Sequence, residues 1–277
     1  DGFRGEAGPD RQHRRGDDLR ARAVSSGARI FSSQIVWFAR ADDSGFELRS
    51  IGITQGLRLR ARAVIIATGA YEYPAIVPGW TLPGAMTIGA AQTLIRRYGV
   101  APGGQVLIAG HGPLGLQLVA ELVALNTNVV ALAERGRPGI GPAAVAAAIA
   151  APRLIADGAR YRFAAFRARV PVLSGWELCT IFGKDRVEGA ELRQIATGQI
   201  RRMETDSVVA GDGFAPQLEL ARLLGVPVVT APASGQIQPE RTFDGRTPVD
   251  GVWIAGDAGG LGGAEVALYQ GDLSAMG

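Results

Sequence analysis

The chain has 277 residues, 47% hydrophobic and 20% charged, long enough to bury the cores of about two domains. A single cysteine, Cys179, excludes within the chain a disulfide framework, a Cys-x-x-Cys redox pair and a cysteine metal cage, and with two histidines no metal site is expected. The net charge is +3, Lys184 is the only lysine, and acids stand among the bases of the densest cluster, RQHRRGDDLRARA from Arg11, so no nucleic-acid partner is expected.

In chain order, residues 10–27 read as a solvated helix ending at Gly27. ARIFSSQIVWFARADDSGFELRS then reads as two strands, an Asp-Asp-Ser-Gly turn and a further strand. LRLRARAVIIATG alternates and then turns continuously apolar, the pattern of a strand entering a fully covered core. A looser stretch through Pro74, Pro78 and Pro83 suits a crossing between domains, and a helix follows over 87–98.

QVLIAGHGPLGLQLVAELVALNTNVVALAE, residues 105–134, is strand, glycine turn, helix, short turn and strand, the length of one βαβ unit. The alanine-rich stretch 141–156 is expected to be helical, and a strand and a hairpin turning at Gly183–Asp185 follow. ETDSVVAGDGFAPQ reads as a short strand broken by glycine and proline, and GVWIAGDAGGLGGAEVALYQGDL as strand, Gly-Asp, glycine loop and helix. No apolar run reaches the roughly 18 residues of a membrane-spanning helix and no signal peptide is recognisable, so a cytoplasmic protein is expected.

Three backbone sites stand out. In Gly110-His111-Gly112-Pro113-Leu114-Gly115, Gly110 permits a tight turn, Gly112 the approach of a pyrophosphate and Gly115 close packing of helix on strand. The helix that opens there offers free N–H groups and a partial positive charge to phosphate. The next strand ends in Glu134, whose carboxylate suits the ribose 2′-hydroxyl of NAD, whereas Arg135 or Arg137 could take the 2′-phosphate of NADP. The second site, Ala67-Thr68-Gly69, lets a flat or phosphorylated ligand lie on the backbone at a strand's carboxyl end. At the third, Gly256-Asp257 either offers a carboxylate to a hydroxylated ligand or caps a turn, before a helix opening at Gly263 and Ala264.

The order of these sites resembles the flavoproteins with two dinucleotide-binding domains, in which an NAD(P) domain is inserted into an FAD domain. The resemblance implies an α/β fold, a Rossmann-like nucleotide-binding domain over 86–216 within an incomplete FAD-binding domain over 1–85 and 217–277. It implies that Ala67, Thr68 and Gly69 return the chain to the flavin domain, that Gly211 with Pro216 closes the nucleotide domain, and that Asp257 binds the FAD ribityl chain. Gln217 stands where that group usually has Asn.

ATGAYEYPAIVPGWTLPGAMTIGAAQTL and GGAEVAL more closely resemble the larger flavin subunits of opine oxidase, hydrogen cyanide synthase, hydroxyproline dehydrogenase and sarcosine oxidase, with Tyr73 where Arg is usual. That likeness implies FAD and NAD (NADP possible) as cofactors, oxidation of an amino-acid or opine C–N bond, an amine or amino-acid substrate and, as partner, a second flavin-containing subunit. It assigns no catalytic residue. It also implies that the first glycine fingerprint and its initial βαβ unit lie outside the 277 residues. Two other functions stay open: a ferredoxin-type NAD(P)H-dependent reductase, and a non-catalytic nucleotide-fold scaffold.

Overall fold

A computed structural model describes residues 11–110, 113–136, 152–232 and 235–276. Contacts divide the chain into two compact units, one built on Glu72–Gly213 and the other on His13–Tyr71 with Phe214–Gly277.

The chain starts with α1 (Arg11–Ser25), exposed from Asp17 onward as its charge pattern requires. An antiparallel meander follows: β1 (Gln34–Asp42), β2 (Gly45–Gly52) and β3 (Gly56–Ala61). One strand, not two, precedes the Asp-Asp-Ser-Gly turn, because residues 28–33 find no pairing partner and Ser33 adopts a left-handed φ of 56°. Asp42 secures the turn, accepting the Ser44 N–H at 2.9 Å and the Ser44 hydroxyl at 2.6 Å. Arg60 adds an ion pair at 2.7 Å, and together these partners hold the Asp42 carboxyl down at about 2. Glu47 on β2 is fully buried yet meets Arg49 Nε at 2.7 Å and Arg58 Nε at 3.0 Å, which hold its carboxyl below the usual range. Next comes β4 (Val64–Ile66), of which Val64 and Ile66 are buried while Ile65 is 48% exposed. The apolar run therefore buries one face of the strand, not both as its composition predicts.

Into the other unit the chain runs along β5 (Ala70–Pro74) and the short β6 (Ala85–Met86) to α2 (Ile88–Tyr98). Thr87 caps α2 through its hydroxyl, which accepts the Ala90 N–H, and Gly99 ends it in the left-handed region. The expected βαβ unit is β7 (Gln105–Gly110), α3 (Pro113–Ala124) and β8 (Asn128–Glu134). The alanine-rich helix expected over 141–156 lies mostly outside the described residues; α4 (Pro152–Arg167) is observed. β9 (Val172–Ser174) precedes an antiparallel sheet of β10 (Trp176–Phe182), β11 (Gly189–Gln194) and β12 (Ile200–Glu204). β13 (Ser207–Pro216) continues unbroken through Gly211 and Gly213: Ser207 to Gly211 pair in parallel with β7, and β5 is its other neighbour in the sheet.

The strand order is β5-β13-β7-β8-β9, with β6 on β13. Alternate residues of β7 face opposite layers, as the period of a strand dictates. Val106 and Ile108 pack with Ile95 of α2 and Leu118 and Leu122 of α3. Leu107 and Ala109 pack with Leu178, Ile181 and Leu192 of the antiparallel sheet. The layers are helices, parallel sheet and antiparallel sheet.

The unit that holds the meander is completed by α5 (Glu219–Leu223), the hairpin β14 (Val228–Thr230) and β15 (Ile237–Pro239), β16 (Val252–Ile254), a 3₁₀ turn over Gly256–Gly259 and α6 (Gly263–Met276). β16 pairs in parallel with β4, Ile254 opposite Ile66, over a core that includes Phe46, Leu224 and Val226.

The depressed carboxyls fix the acid behaviour of the meander. Because Asp42 and Glu47 sit below their ordinary values in the folded chain, their contribution is complete above the unfolded carboxylate range and is lost as pH falls through the folded values. Amide exchange in β1–β3 is expected to stay slow down to pH ~4 and to accelerate toward pH ~2. Protection unchanged across that window would show that the two carboxyls do not stabilise the sheet.

Candidate functional site

In the Glu72–Gly213 unit, the candidate residues converge on the carboxyl ends of β7, β8 and β13. Gly110 ends β7 opposite Gly211 of β13 on one side and Glu134 of β8 on the other. A Cβ on Gly110 would stand 2.8 Å from the Gly211 carbonyl oxygen, so the two backbones meet where no side chain fits. Gly115 is buried in the first turn of α3, and a Cβ there would stand 2.9 Å from Leu132 Cδ1, the close helix–strand packing its spacing implies. Leu114 is half-buried beside it and Pro113 opens the helix; His111 and Gly112 lie outside the described residues.

Glu134 keeps its place at the end of β8, but Arg162 of α4 pairs with it at 3.3 Å. Arg135 turns elsewhere, to Asp212 at 3.2 Å and Glu177 at 3.5 Å, and Arg193 also pairs with Glu177. An arginine bound to two acids is poorly placed to reach a 2′-phosphate. Arg137 lies outside the described residues. Among the described residues Arg162 is thus a cation beside Glu134, and no motif flags it because 28 positions separate the two.

In the other unit, β4 and β16 leave their shared sheet side by side, and the Ala255 N–H donates to the Ile66 carbonyl at 2.9 Å. This brings Ala67-Thr68-Gly69 and Gly256-Asp257 to one sheet edge. Ala67 and Thr68 are exposed, while the Gly69 carbonyl accepts the Gln217 N–H at 3.0 Å. Both alternatives for Asp257 have a place here: Oδ1 accepts the N–H groups of Gly262 and Gly263 at 2.9 Å each, holding the start of α6, and Oδ2 takes no part in that cap. Gly256 is buried, its N–H bound to Gln270 Oε1 at 2.9 Å. Gly263 and Ala264 are exposed in the first turn of α6.

A cavity of about 570 Å³ opens beside that turn, lined among others by Gln238, Arg241, Phe243, Gly260 and Leu261. Arg241 Nε donates to the Gly259 carbonyl at 2.8 Å, and burial lowers its pKa. Among the described residues no carboxylate pairs with it, so it can offer its remaining donors to the cavity. Sequence reasoning passes over Arg241 because it stands in a turn-rich stretch outside any glycine pattern. Among the described residues no His, Cys, Asp and Glu cluster could hold a metal ion.

A parallel sheet whose central strands end in a glycine turn and helix, with an acid closing the next strand, defines a Rossmann-type nucleotide-binding fold. The chain belongs to the pyridine nucleotide-disulphide oxidoreductase family, whose model matches residues 40–271. It is similar to an opine oxidase subunit of Rhizobium meliloti (strain 1021), 33% identical over 94% of this chain and 57% of that protein. Hydrogen cyanide synthase subunit HcnB of Pseudomonas aeruginosa is 27% identical over 77% of this chain and 47% of its own length. The chain thus spans about half the length of these curated relatives. The thioredoxin reductase of T. acidophilum shares the fold, with a TM-score of 0.69 at 19% identity, over 95% of this chain and 79% of that one. Both curated relatives are named as subunits.

The contact between Gly110 and Gly211 is testable by substitution. Gly110→Ala should destabilise the chain by about 1–3 kcal/mol, since its methyl meets rigid backbone. Gly115→Ala should cost less, because a flexible Leu132 methyl can move and alanine gains about 1 kcal/mol in helix propensity. Urea melts of the two variants give the comparison; the reverse ranking would contradict the packing described.

Proposed function

We propose that the chain is the nucleotide-binding and flavin-binding part of a subunit of a flavin-dependent oxidoreductase, an enzyme that oxidises the C–N bond of an amino acid or opine and passes electrons via FAD and NAD. FAD is assigned to the unit of His13–Tyr71 and Phe214–Gly277, and a pyridine nucleotide to that of Glu72–Gly213. The observation that carries the reading is the in-register exit of β4 and β16, which brings Ala67, Thr68 and Gly69 beside Gly256 and Asp257. The likeness to the opine oxidase polypeptide across 94% of the chain supports the C–N substrate class. The relatives are named as subunits, which supports, as partner, a second flavin-containing subunit. No described helix is long and apolar enough to cross a membrane, and a cytoplasmic location is part of the proposal.

When bound, FAD supplies the electron acceptor for the C–N bond. The task of this chain's residues is to hold and tune it. Asp257 keeps Oδ2 for a hydroxyl of the ribityl chain while Oδ1 fixes the loop. The small residues Gly263 and Ala264 let a ring approach the start of α6, whose N-terminal dipole and the Arg241 guanidinium offset negative charge. On the nucleotide side, the start of α3 suits the pyrophosphate and Glu134 the adenosine ribose, with NAD as the preferred coenzyme. Arg162 is the cation that would admit NADP. Thioredoxin-type dithiol chemistry has little support, because the chain's one cysteine, Cys179, would need a thiol from outside it.

Two measurements test these assignments. Glu134→Ala should weaken NADH binding by about 1–2 kcal/mol and move preference toward NADPH as Arg162 is released. Adding Arg162→Ala should abolish that move, and an unchanged NADH affinity in the first variant would remove Glu134 from the site. For flavin, Asp257→Ala should weaken FAD binding about tenfold in an absorbance titration, and undiminished binding would refute the assignment of Asp257.

A further inference from the structure

Glu72 has no role in the reading above, yet its placement in the Glu72–Gly213 unit is tightly determined. It lies on β5, next to β13 in the sheet, and Oε2 accepts the Gly89 N–H at 2.7 Å. Gly89 is the second residue of α2, so the helix N-terminus steadies the carboxylate. A Cβ on Gly89 would stand 2.6 Å from Oε2, and one on Gly211 would stand 2.7 Å from Oε1. The carboxylate therefore sits in a slot between two glycines, one of which, Gly211, is the last residue of β13 paired with β7, opposite Gly110.

Its electrostatic setting differs from that of its neighbours. Glu134 and Asp212 at this edge of the sheet, and Glu177 on β10 of the antiparallel sheet, each pair with an arginine. Among the described residues no cation pairs with Glu72, and Gly89 is the one residue that donates to it. Oε1 is left as an acceptor beside Gly211, at the edge where β7 ends and where an open parallel sheet takes its ligand.

The strand order fixes which half of a dinucleotide it would meet. With the adenosine ribose at the end of β8 and the pyrophosphate over β7, the nicotinamide half extends over β13, toward β5. That half carries hydrogen-bond donors, the carboxamide N–H groups and the ribose hydroxyls, which a carboxylate oxygen can accept.

We propose that Glu72 is a specificity-determining residue of the nucleotide site, its Oε1 accepting a hydrogen bond from the nicotinamide–ribose half of the dinucleotide. The proposal rests on the nucleotide reading above.

Calorimetric titration of the chain with NADH and with ADP-ribose separates the two. Glu72→Gln is the informative variant, because an amide oxygen can still cap Gly89 while the freed position presents an N–H donor. It should weaken NADH binding about tenfold, the loss of one hydrogen bond to a charged group, and leave ADP-ribose binding and the melting temperature unchanged. Unaltered NADH affinity, or equal losses for NADH and ADP-ribose, would overturn the role given to Glu72. A wild-type chain that binds neither ligand would instead remove the nucleotide reading, and the inference with it.

Discussion

The structure of the Glu72–Gly213 unit depends on how closely the backbones of β7 and β13 approach at their carboxyl ends. Gly110 faces the Gly211 carbonyl at a distance that excludes a methyl group, so two strands more than 90 positions apart meet there through main chain alone. Elsewhere on the strands, β-branched and leucine side chains separate the layers and build the two cores on either face. At Gly110 and Gly211 the side chains disappear, and the main chain lies bare there. A side chain at Gly110 would force the strand ends apart and disturb Gly211, against which Glu72 is seated.

Charge at that edge follows from the same scarcity of side chains. Peptide groups cannot neutralise an acid, so arginines reach in from other elements: Arg162 from α4 to Glu134, and Arg135 across to Glu177 and Asp212. An arginine-rich, lysine-poor composition suits this, since a planar guanidinium can bridge two carboxylates at once. Arg135 does so, and its engagement with Glu177 and Asp212 leaves it poorly placed to reach a 2′-phosphate.

Much of this fold is legible from local patterns. The strand, glycine turn, helix and strand of 105–134 need only period and spacing to be read, and the strand ends before Ala67 and Gly256 are each read from small residues after an apolar run, whereas their joining in one domain is what the family resemblance implies. What the sequence hides is long-range. β13 reads as broken because Gly211 and Gly213 normally interrupt strands, yet pairing with β7 carries it as far as Gly211, and with β5 as its other neighbour it runs on to Pro216. Ile65 reads as core, but burial depends on what covers a face, which no local window reports. Arg162, Arg241 and Glu72 belong to no motif, and each acquires its neighbours only when the elements pack.

Asp257 shows why a motif residue and its geometry answer different questions. The Gly-Asp pair marks a strand end, and that alone leaves a turn cap and a ligand contact as competing roles. The hydrogen bonds show the cap: the oxygen that accepts from Gly262 and Gly263 fixes the loop, and the other oxygen stays outside it. A carboxylate tied on one side has lost most of its rotational freedom before any ligand arrives, so less ordering entropy opposes a hydrogen bond on the other side. Glu72 follows the same logic with Gly89 as its tether. In both units an acid is anchored through a helix start, and in both the anchoring peptide groups belong to glycines, because only there is the backbone bare enough for the carboxylate to reach it.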